Sequence, residues 1–222
     1  MMKFYSIEYA LLAIQSALLR EITPELRAVI IDLDAEEKVF YAYIYYDGKA
    51  SEKMIDLWDC AIGEAGADLG RDCFIKSQIK RLDYPNQIPQ GGYCAYMRKE
   101  DRTLPHKPFS RVKIKEMSIG YALLAVQNAL LEVVTPALRT VIVDFKKEGS
   151  LLYIRFFYDG KTSTALIDLW QSALARAKAD FGTNCILDGK VERLDYPNPL
   201  PLDDPNLLPS TKGMRYAYVR KE

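Results

Sequence analysis

The chain has 222 residues, 49% of them hydrophobic, and its 30 basic side chains are balanced by 30 acidic ones. That apolar share fits one or two globular domains and excludes the disordered and fibrous classes; the charge balance argues against direct nucleic-acid binding. No apolar run reaches the roughly 18–20 residues that span a bilayer. The opening Met1-Met2-Lys3-Phe4-Tyr5-Ser6 has no signal-peptide core, so a cytoplasmic location is expected.

Displaced by 112 positions, the sequence matches itself without a gap from Ser6 to Pro89, with about half the positions identical. Ile55-Asp56-Leu57-Trp58 meets Ile167-Asp168-Leu169-Trp170, and Arg81-Leu82-Asp83-Tyr84-Pro85-Asn86 meets Arg193-Leu194-Asp195-Tyr196-Pro197-Asn198. The second copy then carries about ten further residues around Asp203-Asp204-Pro205, and both close alike, on Arg98-Lys99-Glu100 and Arg220-Lys221-Glu222. This is a tandem duplication, with a first module over 1–100, a basic linker over 101–117 and a second module over 118–222.

Within a copy, Ile7, Leu11, Ile14 and Leu18 recur at helical spacing and predict a helix over 6–21. Thr23-Pro24 reads as the N-cap and first-turn proline of one short helical turn. From Arg27 to Asp34 the pattern alternates, with Val29, Ile31 and Leu33 on one face. A polar turn over Ala35-Glu36-Glu37-Lys38 leads to a second strand, Val39 to Tyr46, making a hairpin. Ser51 then caps a long helix carrying Ile55, Trp58, Ile62 and Leu69 inward and stopping near Gly70. Strands over about 74–84 and 93–99 follow, separated by a Pro-Asn-x-x-Pro loop. The fold class is α+β: two α-β-β-α-β-β modules, each a four-stranded, mostly antiparallel sheet with two helices on one face.

The other face of each sheet is then open. Arg155 stands where Tyr43 stands in the first copy, and an arginine belongs outside a core. Alternation therefore places Tyr41, Tyr43 and Tyr45 outward, with Tyr153 and Arg155 as counterparts. The same parity exposes Arg81, Asp83 and Tyr96 in the first module, and Arg193, Asp195 and Tyr218 in the second. Tyrosine and arginine are rich in interface energy, so these faces are candidate partner surfaces, and the modules are expected to pack on each other through them. Charge divides unevenly: 16 acidic against 11 basic side chains over residues 6–100, but 12 against 13 over 118–222. In the first module Asp56, Asp59, Glu64 and Asp68 lie on the long helix, and Asp34 and Glu36 at the hairpin turn. A basic protein partner fits that distribution.

Chemistry is sparse. The one histidine, His106, falls in the linker, and Cys60, Cys73, Cys94 and Cys185 form no CxxC pair. They read as small buried thiols, and neither metal nor cofactor is expected. Arg81, Asp83 and Tyr96 could form a small polar site, repeated at Arg193, Asp195 and Tyr218; a structural ion pair between neighbouring strands is the alternative. A self-associating scaffold is a further possibility.

The run Arg-Leu-Asp-Tyr-Pro-x-x-[Ile/Leu]-Pro (Arg81–Pro89, Arg193–Pro201), the closing Ala-Tyr-x-Arg-Lys-Glu, and the opening Gln-x-Ala-Leu-Leu followed by Thr-Pro-x-Leu-Arg resemble small bacterial immunity proteins of the colicin and contact-dependent-inhibition type. The resemblance covers nearly all of each module, and its motifs are structural. It implies a non-catalytic, cytoplasmic protein that binds a cognate toxin domain and blocks its active site or target surface. Fusion of two modules departs from that pattern.

Overall fold

The computed structural model describes residues 5–89, 91–100, 117–131, 133–182, 184–201 and 214–220. The linker with His106, the Asp203-Asp204-Pro205 segment and the closing Lys221-Glu222 lie outside them. The chain falls into two compact units. The first contains α1 (Ile7–Leu18), β1 (Leu26–Asp34), β2 (Val39–Tyr46), α2 (Glu52–Leu69), β3 (Phe74–Arg81) and β4 (Tyr93–Met97). The second repeats the order as α3 (Ile119–Leu130), β5 (Leu138–Lys146), β6 (Leu151–Tyr158), α4 (Thr164–Phe181), β7 (Ile186–Arg193) and β8 (Arg215–Val219).

Local chemistry sets the element ends. Ser6 and Ser51 accept hydrogen bonds from the Tyr9 and Met54 amides and so cap α1 and α2. The first helix stops earlier than its periodicity predicts, because Leu19 turns extended and Arg20 takes a left-handed backbone (φ 70°). Gly70 ends α2 at φ 130°, a conformation that a side chain strains. Thr23-Pro24 forms no helical turn. Leu26 N donates to Thr23 O at 3.1 Å in a tight turn into β1, and the buried Thr23 hydroxyl caps nothing among the described residues. At the hairpin, Asp34 Oδ1 accepts from the amides of Glu36 and Glu37 at 3.0 and 2.9 Å.

Each sheet is mixed. The order is β3-β2-β1-β4 in the first and β7-β6-β5-β8 in the second. β1 pairs antiparallel with β2 and β4, while β3 runs parallel to β2 at the edge, so α2 is the crossover between parallel neighbours. The core lies between the sheet and its two helices, on Phe40, Ala42 and Ile44 of β2, Val29 and Ile31 of β1, and Leu11, Ile14, Trp58 and Ile62 of the helices. Each such large side chain contributes about 1.5–3 kcal/mol on burial. Cys94 and Cys185 are buried as expected, but Cys60 is exposed: its position on α2 falls on the solvent side of the Trp58–Ile62 stripe.

Gly66 lies inside α2, where a Cβ would come 2.3 Å from the Ile75 Cδ1 atom. Ile75 is 40% exposed and can swing away, and the second module carries Lys178 at the matching position. Gly66→Ala is therefore expected to stabilise by about 0.5 kcal/mol, through the better helix propensity of alanine. Its urea midpoint should rise; a fall would mean that Ile75 cannot yield.

Candidate functional site

The motifs shared by the two modules converge on one buried arginine. Arg27, 1% exposed, donates from Nε and Nη2 to the Glu100 carboxylate at 2.5 and 2.8 Å. Its other donors reach Leu82 O and Asn86 O, the latter at 3.1 Å, and its guanidinium lies 6.0 Å from the Tyr84 ring centre. Arg139 repeats this, donating to Leu194 O at 2.8 Å and Asn198 O at 3.1 Å beneath Tyr196. Around it, Asp83 accepts from Gly48 N at 2.8 Å, Arg98 pairs with Asp47 at 2.8 Å, and the Tyr84-Pro85 and Tyr196-Pro197 bonds are cis. The sequence motifs include Arg27, Leu82, Asp83, Tyr84, Asn86 and Glu100, yet they give no sign of the arginine's burial, since arginine ordinarily reads as surface.

The Arg81–Asp83 pair is real, but it spans two residues of one segment and does not bridge strands. The Arg81 guanidinium, then the Gly48 amide, hold the Asp83 carboxyl down at about 2. Arg193 and Asp195 repeat the pair, and Asp195 is lowered likewise. Arg81 is in register with Tyr46, whose ring packs on Trp58, so it stands at the exposed end of an edge strand on the helix side of the sheet. Tyr96 is 7% exposed and sits opposite Val29, also on the helix side. Tyr218 is 4% exposed opposite Val141, and burial pushes its hydroxyl well above the usual tyrosine range. The expected exposure of Tyr96 and Tyr218 is thus corrected. A register shift between Val29 and Ile30, and its copy between Val141 and Ile142, inserts a residue and inverts the parity. Arg81 and Tyr96 stand on opposite edge strands of the first sheet, as Arg193 and Tyr218 do in the second, so the sheet order keeps the arginine and tyrosine of the expected polar site apart.

The open face of the first sheet does carry Tyr41, Tyr43 and Tyr45, but Tyr45 is only 7% exposed. From β3 it receives Lys76, Gln78 and Lys80 by register. Lys76 Nζ lies 5.4 Å from the Tyr41 ring centre. In the second module Arg155 lies on the matching face, yet it is 5% exposed. Its guanidinium stacks 3.8 Å from the Tyr153 centre, pairs with Asp188 at 2.9 Å and donates to the Asp188 and Ile154 carbonyls, and this is how an arginine can be buried there. Asp56, Asp59, Glu64 and Asp68 are all exposed on the solvent side of α2, and Asp34 and Glu36 are exposed at the hairpin turn. Among the described residues no group of three or more His, Cys, Asp or Glu side chains could hold a metal ion.

The profile of the MafI2 immunity protein family matches residues 8–100 and again residues 120–222. The chain belongs to the MafI2 immunity protein family. It does so twice over, each module being one copy of the MafI2 unit. Membership implies neutralisation of a cognate Maf toxin, and MafI2 proteins belong to a class that is typically non-catalytic. No curated protein matches this MafI2 chain. Among the described residues no helix is long and apolar enough to cross a membrane.

Proposed function

We propose that this MafI2 chain neutralises its Maf toxin by occlusion, laying the acidic face of α2 in the first module over a basic surface of the toxin. The observation that carries this reading is the divergence of one helix between two copies of one fold. Asp59 and Glu64 become Gln171 and Arg176 in α4, which keeps the same length, serine cap and buried tryptophan. The fold therefore does not demand carboxylates at positions 59 and 64, while Asp56 and Asp68 recur as Asp168 and Asp180; all four of α2 are exposed and available to a partner. Complementary charge of this kind speeds association and selects among partners.

The test is co-expression with the cognate Maf toxin domain, alongside affinity measured at two salt concentrations. The triple variant Asp56→Lys, Asp59→Lys, Asp68→Lys should change stability by less than about 0.5 kcal/mol. It should bind roughly 10–100-fold more weakly and protect cells poorly. A variant that binds and protects like the parent chain would remove α2 from the interface.

A further inference from the structure

The open face of the first sheet holds a groove of about 370 Å³. Tyr41, Tyr43 and Tyr45 form one wall, Ile30, Ile31 and Asp32 the floor, and Pro89, Gly91 and Gly92 the far side. Asp32 is the one charged residue among those that line it, and it is exposed. Gly92 is required there: at φ 63°, a Cβ would lie 2.5 Å from Ile31 O. The second module does not repeat this surface. Tyr43, Cys94 and Gly92 are matched by the larger Arg155, Tyr216 and Met214, and Asp144, the counterpart of Asp32, is 5% exposed. Among the described residues, this lining is thus particular to the first copy.

The tyrosines of these faces take cations. Lys76 stands over Tyr41, and Arg155 lies over the matching Tyr153. On the groove side, the half-buried Tyr43 ring stands beside the Asp32 carboxylate, with Tyr45 largely buried behind it and Lys76 and Lys80 on the neighbouring strand. A planar cation satisfies all of these at once, its face on a ring and its edge on Asp32. We infer that this groove is the socket for an arginine side chain presented by the toxin. The inference rests on the occlusion reading and adds a second contact, on a different surface from α2.

The decisive variant is Tyr43→Arg with Lys76→Asp, which installs the second module's own Arg155–Asp188 pair and therefore suits the fold. Full-length protein is titrated with Nα-acetylarginine amide, following backbone amide resonances. Saturable shifts are expected at Ile30, Ile31, Asp32, Gly91 and Gly92, absent with the uncharged citrulline analogue and at least about threefold weaker in the double variant. Equal shifts with citrulline, or none with arginine, would overturn the socket. Against the purified Maf toxin domain, the double variant should lose about tenfold in affinity. Unchanged affinity there, with loss in the α2 triple variant, would overturn the socket and leave occlusion standing. If neither variant loses affinity, both readings fail. If the parent chain self-associates and the double variant does not, the arginine comes from a second copy, and its assignment to the toxin is wrong.

Discussion

Arg27→Met is expected to destabilise the first module by about 3–5 kcal/mol, because it breaks a buried ion pair from one side. The Glu100 carboxylate is 3% exposed, so it cannot turn to water once its partner is gone. Leu82 O and Asn86 O lose their donors at the same time. Arg98, 3.5 Å from the same carboxylate, offsets part of the loss and sets the expectation at the lower end of that range. Removing the charge as well, in Arg27→Met with Glu100→Met, should recover part of the stability, since an apolar pair leaves no stranded ion. The two tryptophans, Trp58 and Trp170, fall one in each module, so urea unfolding followed by Trp58 fluorescence in a Trp170→Phe background reports on the first module alone. A change below about 1 kcal/mol would mean that the arginine does not hold the network together.

The second large effect separates the two copies by one hydrogen bond. Trp58 and Trp170 are both fully buried, packed against Tyr46 and Tyr158 with ring centres 5.6 and 5.4 Å apart. Truncating Trp58 to alanine should cost about 3–5 kcal/mol, the usual price of removing a buried indole. Replacement by phenylalanine is more telling. Trp58 Nε1 donates to Glu21 O at 3.1 Å, whereas Trp170 Nε1 has no acceptor among the described residues. Trp58→Phe removes the indole donor to Glu21 O, while Trp170→Phe relieves an unsatisfied donor. The first should therefore be more destabilising than the second by about 1 kcal/mol, read from paired urea midpoints. Equal losses would indicate that Trp170 has an acceptor after all.

Much of the fold was legible because it rests on periodicity. Apolar spacing located β2 without error, Ser51 marked the start of α2, and the duplication allowed each element to be read twice. Two kinds of feature escaped. The parallel pairing of β3 with β2 leaves no trace in alternation, since an edge strand looks the same in either direction. The register shifts opposite Val29 and Val141 insert one residue, Ala95 and Ala217, into β4 and β8, and each turns the side chains that follow it to the opposite face. That is why Tyr96 and Tyr218 read as surface and proved to be core. Arg155 was assigned to the correct face but not to its buried state, which depends on Asp188 arriving from a strand more than 30 residues away. Of the candidate site, the acidic positions on α2 followed from helical spacing. The groove did not, because it needs Asp32, Tyr43 and Gly92 brought together by three separate segments.

The helix α2 joins two strands that lie side by side, so it is fastened at both ends before any partner arrives. Its carboxylates project from a rod whose length and pitch are already set, and docking leaves little backbone freedom to be lost. For such a surface, ionic strength governs how fast a partner arrives, and the match of positions governs how long it stays. On the docking proposed for α2, discrimination between toxins depends on the spacing of their basic side chains more than on their number. A toxin that moved one of them by a single helical turn could escape while keeping its charge.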